Sequence, residues 1–320
     1  MKNICIDLGG TNIKAGIIEN DQLLYACNGP SMSDQSFLKV MNSIEKMIDE
    51  MMKKTNSMPS EYGGIGLCMP GIIDVDNNKV LAINAKHEEA SSFNFNAWAQ
   101  DKYHLPIVME NDARTALVGE WQHGEGRGVN DIVMMTLGTG IGGAAMINGK
   151  LLHGKHYQAG CLGGHFTINV HGDQCNCGNI GCVESQSASW RLKELIAKAK
   201  EGHTLLNGPQ EIDFKVLFDL VREGNQIAKE VIDNILKVWS AGIVNMIHAY
   251  DPDVVIVSGG IMNSKDIILP FMKEWVAKYA WTAHHSVDIK ASTHTENTAL
   301  WGINYLVNDK YFKKINDSVQ

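Results

Sequence analysis

Three groups of residues in this chain have the types and spacing to do chemistry. The first is a pair of glycine loops. In residues 131–143, DIVMMTLGTGIGG, an apolar run without helical spacing stops at Gly138-Thr139-Gly140. Small residues at a strand end leave backbone N–H groups open to a phosphate, with no side chain blocking the approach. The amino terminus repeats the pattern: a run at 2–8 carries Asp7 and stops at Gly9-Gly10-Thr11. The second group is Asn111-Asp112, where a short strand at 106–109 meets a helix at 113–121. Asp112 at that junction is either a helix cap or a general base at the carboxyl end of a strand, and spacing leaves both readings open. The third is His165 with Cys175, Cys177 and Cys182, inside one glycine-containing loop. One histidine and three cysteines supply the soft tetrahedral set that Zn2+ prefers, and a fully protein-liganded site is structural.

The elements that must position these groups follow from periodicity. Each glycine loop sits between two strand-like runs, and each second run ends in a turn, Glu19-Asn20-Asp21 or Asn148-Gly149, that returns the chain. Two copies of strand, glycine loop, strand, turn, strand predict two similar domains facing each other, with the loops holding different phosphates of one nucleotide. Residues 33–54 place Phe37, Val40, Met41, Ile44, Met47, Ile48 and Met51 on one helical face. A strand at 65–69 breaks at Pro70-Gly71, and 74–78 is a polar turn. Residues 84–96 are polar and poorly periodic, the composition of a binding loop. Helices follow at 187–200, 214–221 and 226–250, then a strand at 254–258 closed by Gly259-Gly260. That glycine pair either lets an adenine ring lie on the backbone or makes a plain strand-to-helix turn. Helices at 266–279 and 298–307 end the pattern.

Composition bounds the partners. A chain of 320 residues with 44% hydrophobic content is long enough for two packed cores. A net charge of -8 without a lysine or arginine block argues against a nucleic-acid footprint. An anionic ligand must then be met locally by backbone donors, dipoles and a divalent cation. No apolar run approaches membrane-spanning length and the first residues enter a strand, so the cytosol is the expected compartment, with cysteines as thiols or ligands.

Assembled in order, DLGGTNIKAG, PGIID, ENDARTALVGE, LGTGIGGAAMINGK, CNCGNIGC and VSGG resemble the ROK group (repressors, open reading frames and kinases) of the actin-like sugar kinase superfamily. The resemblance runs over nearly the whole chain. It implies an α/β protein of two actin-like, ribonuclease H-like domains flanking a cleft for a sugar and MgATP. The domains would be 1–113, completed by a C-terminal helix at about 298–320, and 114–297, with a zinc loop at 165–182. By position, Asp7, Gly9, Gly10, Thr11 and Lys14 resemble the first phosphate loop, with Asp7 near Mg2+, and Gly138, Thr139 and Gly140 the second. Gly259 and Gly260 join this nucleotide set. Asn84, Asn111, Asp112, His165 and Glu184 correspond to sugar contacts, Asp112 being the base and His165 also a ligand of structural Zn2+ with the three cysteines. Members are commonly dimers, so a homodimer is expected.

The loop before the zinc site departs from the group. Ala-Gly-Glu, one residue and Gly-His is the usual pattern, whereas this chain has Ala159-Gly160-Cys161-Leu162-Gly163-Gly164-His165, without the glutamate and with one residue more. A thiol accepts hydrogen bonds far less well than a carboxylate. The anomeric end of a sugar must find Glu88, Glu89 or water, or the substrate carries a substituent there, for which Gly163-Gly164 would leave room. Greater tolerance of anomeric substitution than in a glucokinase is therefore expected. The alternative function is a sugar-binding regulatory protein of the same family without kinase activity. Repressors of the group carry a helix-turn-helix before the DLGGT strand, which here starts at residue 2 and favours the kinase.

Overall fold

The computed structural model describes residues 1–83, 86–208, 211–293 and 297–318, with the side chains of 311–318 outside that description. The chain divides into two compact units, one of Met1–Arg127, His153–Cys161 and Glu296–Gln320, the other of Gly128–Leu152 and Leu162–Thr295.

The first unit runs β1 (Lys2–Leu8), β2 (Asn12–Glu19), β3 (Gln22–Pro30), α1 (Phe37–Lys54), β4 (Tyr62–Met69), β5 (Ile72–Asp74), β6 (Lys79–Ala82), α2 (Phe95–Tyr103), β7 (Ile107–Asn111) and α3 (Asp112–His123). Its main sheet has the order β3-β2-β1-β4-β7. The first three strands form an antiparallel meander, while β4 and β7 run parallel to β1. Asn20 and Asp21 both take positive φ in the β2–β3 turn, the geometry that matches strand twist in a two-residue hairpin. Helix α1 buries Phe37, Val40, Met41, Ile44, Ile48 and Met51 at helical spacing in this unit's core.

The second unit repeats the plan with β8 (Ile132–Leu137), β9 (Ile141–Ile147), β10 (Lys150–Leu151), α4 (Val183–Ser187), α5 (Leu192–Lys198), α6 (His203–Leu206), α7 (Phe214–Arg222), α8 (Gln226–Tyr250), β11 (Val254–Ser258), α9 (Lys265–Tyr279) and β12 (Asp288–Ala291). The sheet order is β10-β9-β8-β11-β12, again an antiparallel meander followed by two parallel strands. The duplication expected from the glycine-loop grammar is thus present in topology. Helix α8 packs one face, with Ile235, Trp239, Ile243 and Ile247 buried. No helix among the described residues is long and apolar enough to cross a membrane.

Helix α10 (Thr298–Ser318) returns to the first unit and packs on α3. A Cβ at Gly119 would lie 2.0 Å from Thr298 O, and one at Gly302 1.9 Å from Thr115 O, so only glycine lets these backbones approach. That packing corrects the expected domain boundary: α3 stays with the first unit, and the division falls after Arg127 rather than after 113. A second correction is that 153–161 belongs to the first unit instead of lying within an uninterrupted 114–297. The expected helix at 187–200 is instead a 3-10 turn at Ser189–Arg191 followed by α5, with α4 already ended at Ser187. Ala188 is extended there, and the Ser189 hydroxyl leaves the helix pattern to donate to Gly138 O at 2.7 Å.

Candidate active site

In the first unit the sheet register gathers the acidic residues. Asp7 on β1 pairs across to Cys68 on β4, and Cys68 pairs to Glu110 on β7. Asn111 ends β7 and Asp112 begins α3, so both lie at the carboxyl ends of parallel strands, where α/β sheets bind ligands. The cap of α3 is Asn111 and not Asp112: its Oδ1 accepts from Arg114 N at 3.1 Å, while its Nδ2 donates to Gly71 O at 3.0 Å. Asp112 is thereby free of capping duty beyond accepting from Ala113 N at 2.8 Å with Oδ1. Burial, and then the charge of Asp112, push the Asp7 carboxyl up to about 6, against the pull of Lys14. Burial likewise raises Asp112. The Cys68 thiol donates to Asp7 Oδ1 at 3.5 Å. Two buried carboxylates, the charge of Asp112 raising Asp7, are suited to hold a cation and accept a proton.

The first glycine loop is tightened by Gly9 N donating to Asn12 O at 2.9 Å. Thr11 is exposed, and Ser31 N donates to its carbonyl at 2.9 Å. Lys14 is the cross-strand partner of Asp7. Sequence reading overlooked two side chains that reach this loop: Ser33 Oγ and Lys86 Nζ both donate to Gly10 O, at 2.9 and 2.5 Å. Lys86 does fall in the polar stretch marked as a binding loop, which was the available signal. Asn84 lies outside the described residues.

The returning segment 153–161 is held by a buried cluster that sequence spacing did not reveal. Arg114, fully buried, donates through Nη2 to Tyr157 O at 3.0 Å and Ala159 O at 2.6 Å, and its Nη1 stands 3.5 Å from Glu110 Oε1. His153 Nε2 meets Glu110 Oε2 at 2.6 Å. The Tyr157 hydroxyl donates to Asp76 Oδ2 at 2.6 Å. Cys161 at the end of this segment is buried; burial raises its thiol while the Arg114 cation acts the other way. Of the carboxylates considered as replacements for the missing glutamate, Glu89 is engaged elsewhere, accepting from Phe37 N at 2.8 Å at the start of α1.

In the second unit, Gly138-Thr139-Gly140 closes the β8–β9 hairpin, with Gly138 N donating to Gly140 O at 3.1 Å. Glu184, in the first turn of α4, reaches this loop and accepts from Ile141 N at 2.8 Å through Oε2. The glycines have different reasons to be there. A Cβ at Gly138 would meet nothing closer than Gly140 O at 3.9 Å, and one at Gly260 nothing within 4 Å, so neither is required by packing. Gly259 is required: φ is +106 and a Cβ would lie 2.1 Å from Leu137 O on β8. A cavity of about 770 Å³ opens beside these turns, with Ser189, Trp190, Phe214, Arg222, Gly260 and Ile261 among its lining. Its size suits a nucleoside-sized ligand. Gly163 and Gly164 do not leave room for a substituent as expected: a Cβ at Gly164 would sit 1.9 Å from Ile141 O, so they serve close packing on β9.

His165, Cys175, Cys177 and Cys182 bring one ligand atom each within 4.8 Å of the others. Tetrahedral Zn2+, with bonds of about 2.3 Å to sulfur and about 2.1 Å to nitrogen, spaces its ligands about 3.8 Å (S to S) and about 3.6 Å (N to S) apart. The observed separations are 3.8 Å for Cys177 Sγ to Cys182 Sγ and 3.6 Å for Cys175 Sγ to His165 Nδ1. Burial, then the neighbouring cysteines, push Cys182 up to about 12, and burial raises Cys175. The donor set therefore fits a thiophilic cation that would supply the missing positive charge.

The ROK family's sequence model matches residues 3–310. A glucokinase of Thermotoga maritima is 27% identical over 318 residues, 97% of this chain and 98% of that protein. A xylose repressor of Caldicellulosiruptor bescii is 27% identical over 271 residues, 82% of this chain and 67% of that protein. Among solved structures, a ROK family glucokinase from Streptomyces griseus in complex with glucose and AMPPNP has a TM-score of 0.80 at 23% identity, covering 97% of this chain and 100% of that one. The mixed α/β architecture of two sheets is that of the actin-like ATPase fold.

Proposed function

The chain belongs to the ROK family, and from that premise we propose that it is an ATP-dependent sugar kinase, transferring the γ-phosphoryl of MgATP to a hydroxyl, the 6-hydroxyl, of a hexose or hexose derivative. The observation that carries this reading is the Asp7–Asp112 pair at the ends of β1 and β7, with each carboxyl raised and Asp112 relieved of capping by Asn111. A protein that only bound sugar would have no need to hold two destabilised carboxylates together.

In the proposed reaction the acceptor hydroxyl oxygen bonds to the γ-phosphorus as the bond from that phosphorus to the bridging oxygen breaks. ADP leaves with the electron pair, and the hydroxyl proton passes to the Asp112 carboxylate. ATP supplies the phosphoryl group and Mg2+ charge neutralisation, with Asp7 as the carboxylate beside the metal. Gly9, Gly10, Thr11 and Lys14 form the first phosphate loop. Gly138, Thr139 and Gly140 form the second, with Gly260 and the adjoining cavity taking the nucleoside and Gly259 fixing the turn. Asn111 and His165 are proposed sugar contacts, as is Asn84. For Glu184 the same role requires that it leave or share the Ile141 amide. Structural Zn2+ on His165, Cys175, Cys177 and Cys182 would leave no ligand position for a reactive water. A cytoplasmic homodimer is the proposed working form.

The second reading is a sugar-binding regulator, favoured by likeness to xylose repressors. A coupled ADP-release assay across glucose, mannose, fructose, N-acetylated hexosamines and methyl β-glucosides separates the two. Sugar-dependent release supports the kinase; binding of a sugar without release supports the regulator. Cys161 in place of the glutamate and the engagement of Glu89 support anomeric tolerance, so a methyl β-glucoside should reach a kcat/KM within about tenfold of glucose.

A further inference from the structure

The first glycine loop carries a cation that none of its motif residues accounts for. Lys86 lies along the bare face of Gly10: a Cβ there would sit 3.3 Å from Lys86 Cδ and 3.6 Å from its Nζ. The ammonium donates to Gly10 O at 2.5 Å, and Ser33 Oγ donates to the same carbonyl. An ammonium has three protons to donate, and among the described residues the Gly10 carbonyl is the hydrogen-bond partner of this one. No acidic side chain pairs with it among the described residues. Glu89, three residues on, is committed to Phe37 N, in a chain whose net charge is -8. The placement is built by its neighbour: His87 takes the left-handed conformation at φ +58, and its buried ring packs edge-on against Phe37 at 6.0 Å. A buried aromatic anchor thus fixes the backbone that presents Lys86 to the loop.

We propose that Lys86 is a catalytic residue that contacts the γ-phosphoryl group over Gly10, exchanging the carbonyl for a phosphoryl oxygen as charge moves on to the leaving nucleotide. This rests on the reading of the chain as a sugar kinase, and it adds a phosphoryl-binding cation from outside the glycine motif. An ammonium placed in advance at the site of developing charge stabilises a transition state without reorganisation. ADP lacks the group that Lys86 would touch, so ATP and ADP should respond differently to its loss.

The test compares Lys86→Met and Lys86→Arg with the wild type by calorimetric titration with MgATP and MgADP, titration with sugar, and ADP release. Lys86→Met should lower kcat about a hundredfold, the scale of one lost transition-state donor. It should weaken ATP about tenfold while leaving ADP and sugar affinities unchanged, and Lys86→Arg should recover most of the ATP affinity. If ATP and ADP weaken alike, or neither changes, Lys86 only tethers its loop and the proposal is overturned. Should Lys86→Met fail to fold, Lys86→Gln decides: ATP affinity lost while ADP affinity is kept supports the contact, and equal weakening of both nucleotides, or no change in either, overturns it. Selective loss of ATP affinity in a protein whose wild type releases no ADP with any sugar would uphold the Lys86 contact and reject the kinase reading.

Discussion

The two glycine loops close equivalent hairpins, β1–β2 and β8–β9, at the same position in sheets of the same strand order, yet they are dressed differently. At the first, the Lys86 ammonium and the Ser33 hydroxyl meet the Gly10 carbonyl beside the Asp7–Asp112 pair. At the second, the Glu184 carboxylate takes the Ile141 amide and the Ser189 hydroxyl takes the Gly138 carbonyl, with a cavity alongside. The hairpin scaffold is repeated and the chemistry is not. On the proposed reading, phosphoryl transfer would need acid–base and charge-stabilising groups at one place and a cradle for the rest of the nucleotide, and the difference between the duplicated loops runs along that line.

The largest expected effect falls on the first loop's neighbour. Asp112→Asn should lower kcat about 10²- to 10⁴-fold while sugar affinity stays within about twofold, because the base is lost and the shape kept. Retained turnover would remove the asymmetry between the loops. Metal analysis bears on the second unit alone: about one zinc per chain is expected, and Cys177→Ser should lower zinc affinity by about tenfold or more, with sugar affinity falling before nucleotide affinity. Full activity in zinc-free protein would give the cluster another role.

Glycine substitutions sharpen the contrast within the second loop. Gly138→Ala places its methyl in open space, so melting temperature should hold while KM for ATP rises about tenfold. Gly140→Ala puts a Cβ 2.6 Å from Glu184 Oε2, displacing it from the Ile141 amide, and should cost about 1 to 3 kcal/mol of stability. Equal effects from both would mean the bare face of Gly138 has no ligand to admit.

The smallest effect is a pH dependence of the first unit. Asp7 titrates near 6 when folded against 3.8 when free, so between those values the folded protein keeps a proton that the unfolded chain has released. Ligand-free stability therefore falls as pH rises through that window, and the charged form of Asp7 is reached only above about 6. Asp7→Asn should flatten this slope and raise the ligand-free melting temperature at about pH 7.5 while abolishing turnover. A lower melting temperature would show that Asp7 stabilises the fold.

Local signals made much of this legible. The apolar stretch of α8 and the β-branched run of β11 are readable to their ends, 226–250 and 254–258, because burial there follows helical spacing and an unbroken apolar strand. Turn residues with positive φ, Asn20-Asp21 and Asn148-Gly149, mark both hairpins. Features decided by distant partners were not legible. Helix α2 begins inside the polar stretch 84–96, and β12, DIKA, is a short edge strand with two charges. The return of 153–161 depends on Arg114 reaching two carbonyls more than forty residues away. At the site, residue types flagged Asp7, Asp112 and the cluster of His165 with three cysteines, but a spacing cannot show that Asn111 does the capping or that Lys86 crosses 76 residues to Gly10.

The central claim is that this chain moves a phosphoryl group from ATP to a sugar. Following wild-type protein, MgATP and the best sugar of the panel by phosphorus NMR measures it directly, through ADP and sugar phosphate in one tube. One sugar phosphate should appear for each ADP, with no ADP formed when sugar is left out. ADP released at the same rate without sugar, or sugar bound with no phosphate ester formed, would contradict the account.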